Sequence, residues 1–244
     1  MPLGTCWVQI ACIAACIALA AGLSSAQELP EGLSDHGVAA PVGMPAWGGV
    51  VPVQGADGGN EVFIKLWAGG QTSYLFINAE TGETEQIPAG IGGIGAYLVH
   101  YLPERNTIYD TMGSHFLEID PATREIRRVG EIPGGMALSF TSDEDGVVYG
   151  GIYPSATIVS YNPATGEYAN RGVMNEEDWP QYLRPIALDD AGWLYGGIGQ
   201  TEGQIAGMNL ATGETRTFVP QEQRQRGNPT LWRGTDGCVY ANTT

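Results

Sequence analysis

Apolar residues come in short runs along most of the chain, with polar turn residues between them at close intervals. Residues 136–141, 147–152, 157–161 and 167–173 show the pattern, each filled with β-branched, aromatic or small residues. Asp143-Glu144-Asp145-Gly146 and Asn162-Pro163-Ala164-Thr165-Gly166 interrupt them. In such turns Asx and Pro residues begin the reversal and Gly supplies the positive φ that closes it. Runs of this length and composition predict strands. Beyond residue 26 no segment carries a convincing helical period.

The pattern repeats. Asn78-Ala79-Glu80-Thr81-Gly82-Glu83 returns as Asp120-Pro121-Ala122-Thr123-Arg124-Glu125, then from Asn162 to Glu167 and from Asn209 to Glu214, at intervals of 42, 42 and 47 residues. A second motif, a turn residue followed three positions later by an aromatic, alternates with it: Asn60 and Phe63, Asn106 and Tyr109, Gly146 and Tyr149, Gly192 and Tyr195, Gly237 and Tyr240. Four short strands per unit at this period match a propeller blade, for which about 40–45 residues is usual. A parallel β-helix needs a much shorter repeat, and a sandwich does not need a period near 42. The expected fold is therefore an all-β propeller of four-stranded antiparallel blades.

Over roughly residues 47–242 these units resemble the broad group of bacterial exported propellers with YVTN, NHL and quinoprotein-like repeats. The resemblance implies a fold and no activity, because unrelated functions share the architecture. The expected blades span about 47–90, 91–133, 134–175 and 176–222, and residues 228–244 supply the first two strands of a fifth. Because residues 49–54 already give the first blade its own first strand, the half-blade has no evident partner. The sequence reads as the front of a longer propeller, with further blades of a parent chain as a partner.

Residues 1–26 are different: 6–21 are almost wholly apolar, and Ser24-Ser25-Ala26 offers small residues at a cleavage site. They read as a signal peptide cut after Ala26, followed by a linker over 27–46, which implies a secreted or periplasmic protein. Ile13-Ala14-Ala15-Cys16 also resembles a lipoprotein signal, in which Cys16 would be lipidated. The apolar run continues past Cys16, so lipid anchoring ranks second. The stretch is short for a membrane span. Cleavage would remove three of the four cysteines and leave only Cys238, which excludes an intramolecular disulfide.

With 43% hydrophobic residues the chain can bury a core, and its 36 Gly and 15 Pro suit many turns. Formal charge is −16, and Lys65 is the only lysine beside ten arginines. So acidic a surface repels phosphate backbones, which argues against nucleic-acid partners. It would tolerate Ca²⁺, although no Ca²⁺ motif is present: Asp143 to Gly146 lacks the spaced ligands of a calcium loop and reads as a turn. No nucleotide, zinc-protease or serine-hydrolase motif occurs. No cofactor or resident metal is expected.

The two repeated motifs occupy the first-to-second and third-to-fourth strand turns, where uniform residues signify folding. The remaining connections vary, as binding loops do. They cover residues 67–73, 110–115, 150–157 and 196–204, with 173–185 between the third and fourth blades. Trp67, Asp110, His115, Tyr153, Trp179, Tyr182 and Arg184 are the candidate ligand-binding residues on that face. In the richest loop an exposed Trp179 and Tyr182 beside carboxylates and Arg184 would suit a sugar or peptide. The plainer account is an ordinary long loop whose aromatics pack on neighbours. His115 and Asp110 could share a metal or a proton. His100 aligns with apolar Phe140, Ile186 and Leu231, so it is a core histidine or a base.

Three functions remain open. The first is a non-catalytic module binding a glycan, peptide or protein through the variable face. The second is an extracellular carbohydrate-active enzyme, a polysaccharide lyase or glycoside hydrolase. There His100, His115, Tyr182 and Arg184 would be the catalytic candidates, with a cation to neutralise a uronate. The third is a structural segment of a larger surface protein.

Overall fold

The computed structural model describes Gly37 and residues 46–243, apart from Ile94. The chain divides into Met1–Gly37 and Val38–Thr244, and the strands of the described residues lie in the second unit. The expected signal peptide, including Cys16, and nearly all of the expected linker lie outside the described residues.

Four four-stranded antiparallel sheets follow one another in the chain, each ordered first strand to fourth. The first comprises β1 (Ala46–Gln54), β2 (Asn60–Ala68), β3 (Gln71–Asn78) and β4 (Thr84–Pro88). The second holds β5 (His100–Leu102), β6 (Thr107–Met112), β7 (His115–Ile119) and β8 (Ile126–Glu131). The third holds β9 (Met136–Ser142), β10 (Val148–Tyr153), β11 (Thr157–Asn162) and β12 (Glu167–Val173). The fourth holds β13 (Tyr182–Leu188), β14 (Trp193–Gly199), β15 (Gln204–Asn209) and β16 (Thr215–Thr217). A two-stranded sheet of β17 (Thr230–Arg233) and β18 (Val239–Asn242) completes the set. The sequence predicted four blades and half of another, and the sheets have that form.

First strands β9, β13 and β17 pack against one another, so they form the inner edge. Fourth strands are largely exposed, as the outer edge of a blade must be. Second and third strands are buried on both faces, which is why they read as continuous apolar runs rather than alternating ones. In β6, Ile108 and Met112 pack on the first blade with Phe63, Tyr74 and Phe76. Tyr109 turns the other way, onto Val148, Val159 and Tyr161 of the third blade. A third cluster joins Tyr149 and Ile158 to Leu183, Leu194, Ile198 and Met208.

Each repeated motif proves to be a self-satisfying turn. Asn78 Oδ1 accepts the N–H groups of Glu80 and Thr81, both at 2.9 Å, and the Thr81 hydroxyl accepts from Glu83 N. Asp120, Asn162 and Asn209 make the same pair of bonds. In the other motif, the Tyr149 and Tyr195 hydroxyls each donate to the aspartate that opens their own turn, Asp143 and Asp189, at 3.0 Å. These tyrosines belong to the fold.

Buried polar bonds fasten the blades. Lys65 reaches Asp110 between the first and second, and the Ala137 N–H donates to Thr111 Oγ1 between the second and third. Ser139 Oγ donates to the Leu183 carbonyl between the third and fourth.

Candidate functional site

The variable face is organised by two irregular connections. In the first, Ala96 N donates to the Thr111 carbonyl at 3.0 Å, and Gly95 bridges to Met112. This fixes the segment ahead of β5 on the end of β6 and leaves Tyr97 exposed (38%). Tyr97 also depends on Gly48 (φ +142°), where a Cβ would collide with the Tyr97 carbonyl.

In the second, buried Gln181 and Asn175 close the loop that precedes β13. Gln181 Nε2 donates to the carbonyls of Asn175 and Glu177 at 2.9 and 2.7 Å, and Asn175 Nδ2 donates to Gln181 Oε1 at 3.0 Å. Gln181 N donates to the Pro154 carbonyl, so Tyr182 is delivered beside Tyr153. Their ring centroids are 4.5 Å apart at 49°. The Tyr153 phenol is pushed above its ordinary range, chiefly by hydrogen bonding to Tyr182 and then by burial.

Arg184 completes the group. The pairing of β13 with β14 loses register between Leu183 and Ile186, so Arg184 sits in a bulge, a device that re-aims a side chain. Its guanidinium carbon lies 4.9 Å from the centre of the Tyr97 ring. Arg184 Nε is buried without a hydrogen-bond partner among the described residues. Arg124, Arg127, Arg216, Arg224 and Arg233, by contrast, each pair with a carboxylate.

The structure thus gathers three predicted residues, Tyr153, Tyr182 and Arg184, from the third and fourth blades, and adds Tyr97 from the segment entering the second. Sequence reasoning missed Tyr97. It lies in a Gly-rich connection that matches neither repeated motif, and only its place outside the repeats marks it.

The other candidates stand elsewhere. Trp67 is on β2, paired with Thr72 across the hairpin. The repeat pattern puts Asp110 in a variable loop, and the structure corrects this. β6 runs to Met112 and β7 begins at His115, so that connection is only Gly113-Ser114. Asp110 is fully buried, its oxygens taken by Lys65, by the Tyr74 hydroxyl at 2.9 Å and by Thr111 N at 2.7 Å. His115 pairs with Met112 and Glu131 on β7. Among the described residues no cluster of His, Cys, Asp or Glu fits a metal.

Trp179, expected to be exposed, is half-buried against the cluster between the third and fourth blades. Its Nε1 donates to Glu177 at 2.8 Å, and Glu177 is gripped by Arg224 at 2.7 Å. Arg224 therefore holds the Glu177 carboxyl below its usual range. Beside this clamp, Pro154, Ser155, Glu176, Asp178 and Pro180 line an open groove of about 550 Å³. His100 begins β5, with its ring 6.4 Å from that of Phe140 and Nε2 buried without a hydrogen-bond partner among the described residues. Burial holds its pKa below the ordinary range.

Comparison with solved structures identifies the class. The fold is similar to that of a catalytically inactive virginiamycin B lyase from Staphylococcus aureus with quinupristin, at TM-score 0.58 and 14% identity, over 82% of this chain and 64% of that one. It is also similar to a streptogramin B lyase, at TM-score 0.55 and 14% identity, over 83% of this chain and 64% of that one. A third similar structure is the hydrazine synthase of Kuenenia stuttgartiensis, at TM-score 0.53 and 15% identity, over 84% of this chain and 57% of that one. The chain thus spans less than two thirds of the length of each. No protein-family model matches the chain, and no curated protein matches it in sequence. At these identities the likeness is one of fold: the repeated sheets are blades of a β-propeller.

Proposed function

We propose that the chain is part of an exported binding protein whose ligand lies over Tyr97, Tyr153, Tyr182 and Arg184. The observation that carries this reading is the convergence, from three separate segments, of three phenol rings and an arginine that no carboxylate neutralises among the described residues. Flat aromatic faces rimmed by hydrogen-bonding groups suit glycans and peptides. The opposite face offers turns whose polar groups already bond to one another. Export is inferred from the apolar segment before Ala26. Among the described residues no helix is long and apolar enough to cross a membrane.

A catalytic reading has less support. The tyrosine candidate for a base, Tyr182, is already engaged with Tyr153, their ring centroids 4.5 Å apart. The His100 imidazole is mostly buried, beside Phe140. The test is a screen of glycans and peptides with the folded protein, followed by Tyr182→Ala. Affinity for an identified ligand should fall by about 1–3 kcal/mol while the melting curve is kept. Unchanged affinity in Tyr182→Ala and Tyr97→Ala would remove this cluster from the site.

A further inference from the structure

Resting on that reading, we infer that the ligand is a glycan carrying a uronic-acid residue, with its carboxylate on Arg184 and its ring against the tyrosines. Three observations lead there. Arg184 has a buried Nε donor with no partner among the described residues, in a protein with net charge −16 that has acids to spare. A buried donor without an acceptor is costly, and the guanidinium that carries it presents its N–H groups in a fork that fits a carboxylate. The bulge at residues 184–185 takes Arg184 out of the regular pairing of β13 with β14, and its guanidinium carbon lies 4.9 Å from the centre of the Tyr97 ring. Beside it, Tyr153 stays protonated through neutral pH and remains a hydroxyl donor rather than a competing anion.

The charge and the backbone narrow the class. A single guanidinium suits a monoanion, whereas a phosphate dianion calls for more positive charge than this acidic surface offers. A peptide ending in a carboxylate would need free main-chain groups to pair with it. Here Gln181 N and Ala96 N are already committed to the Pro154 and Thr111 carbonyls. A pyranose ring asks only for a flat face and scattered hydrogen bonds, and Tyr153 and Tyr182 supply both at 4.5 Å centroid separation.

Binding of digalacturonate and of its carboxyl-reduced neutral counterpart, by calorimetry, tests the inference on the wild type, Arg184→Met, Arg184→Lys and Tyr182→Ala. The acid should bind the wild type at least about tenfold more tightly than the neutral sugar, the worth of one charge-assisted hydrogen bond. Arg184→Met should erase that preference yet keep the residual affinity for the neutral sugar. Arg184→Lys, which keeps the charge and packs similarly, should retain part of the preference and guards against misfolding of the Met variant. Tyr182→Ala should weaken both sugars alike. Equal binding of acid and neutral sugar by the wild type would overturn the uronate while leaving the binding face intact. No binding of either sugar, or binding instead of a peptide through its free C-terminus, also overturns the inference. A ligand indifferent to Tyr182→Ala and Tyr97→Ala would overturn the site itself.

Discussion

The Lys65 ammonium lies 2.6 Å from both carboxylate oxygens of Asp110, and neither side chain reaches solvent. The pair joins β2 to β6 across the first interface between blades, 45 residues apart in sequence. The Tyr74 hydroxyl donates to the same carboxylate, and its own pKa is driven well up by burial and by Asp110. Burial pushes Asp110 upward as well, and Lys65 pulls it back.

Removing one partner should therefore be costly. Asp110→Ala leaves an ammonium and a phenol buried without acceptors, and should lower stability by about 3–5 kcal/mol in denaturant melts. The triple variant K65M/D110L/Y74F removes the ammonium and the phenol together with their acceptor at similar volume, leaves only the Thr111 N–H without its Asp110 partner, and should regain most of the loss. A single variant as stable as wild type would show that water reaches this interface.

Arg124 stands where the other three repeats carry Gly82, Gly166 and Gly213, and it keeps their left-handed backbone, at φ +63°. The strain is offset by its side chain, which pairs with Glu61 and Glu85 at 2.8 and 2.9 Å and lies 3.8 Å from the centre of the Phe76 ring. Arg124→Ala loses the contacts and keeps the strain, whereas Arg124→Gly loses the contacts and relieves it. Urea melts should rank wild type above Gly and Gly above Ala, the last two separated by about 1 kcal/mol.

His100 makes stability depend on acid. Its folded-state pKa lies below the unfolded value, so the folded protein binds fewer protons and loses stability as pH falls from about 6.5. His100→Phe copies Phe140 at the aligned position and removes the buried Nε2. Its melting temperature should match or exceed that of wild type at pH 7, and the difference should widen toward pH 5. Parallel pH profiles would assign the acid sensitivity to another group.

The clamp on Trp179 should respond lower on the scale. Arg224 depresses the Glu177 carboxyl, so the contribution of the pair is present above the usual carboxylate range and is lost as pH falls through the depressed value. Glu177 is partly exposed, which limits the effect to about 1 kcal/mol or less. Glu177→Gln should melt slightly below wild type at neutral pH, and the two curves should meet in acid. A constant difference down to pH 2 would exclude an electrostatic clamp.

Export is read from sequence alone, and material recovered from outside the cytoplasm should begin at Gln27. An intact Met1 would refute cleavage, and a lipid on Cys16 would replace it by anchoring.

The strands, their four-fold grouping and the half-blade were legible because each rests on local chemistry. Asn78, Asp120, Asn162 and Asn209 cap their own turns through bonds two and three residues away, so the motif and its structure are the same information. Pattern reading also picked Tyr153, Tyr182 and Arg184, since they fall where the repeat is broken. What it could not decide was who meets whom. Asp110 and His115 look like loop neighbours, yet the connection narrows to Gly113-Ser114 and Lys65 of another blade claims the carboxylate. Trp179 looks exposed until Glu177, Arg224 and the neighbouring core take it in. Tyr97 carries no motif, and only the stacking of blades sets its ring against Arg184, 87 positions further along. Local hydrogen bonds write the blade into the sequence; contacts between blades depend on how whole sheets pack, and those only the tertiary structure decides.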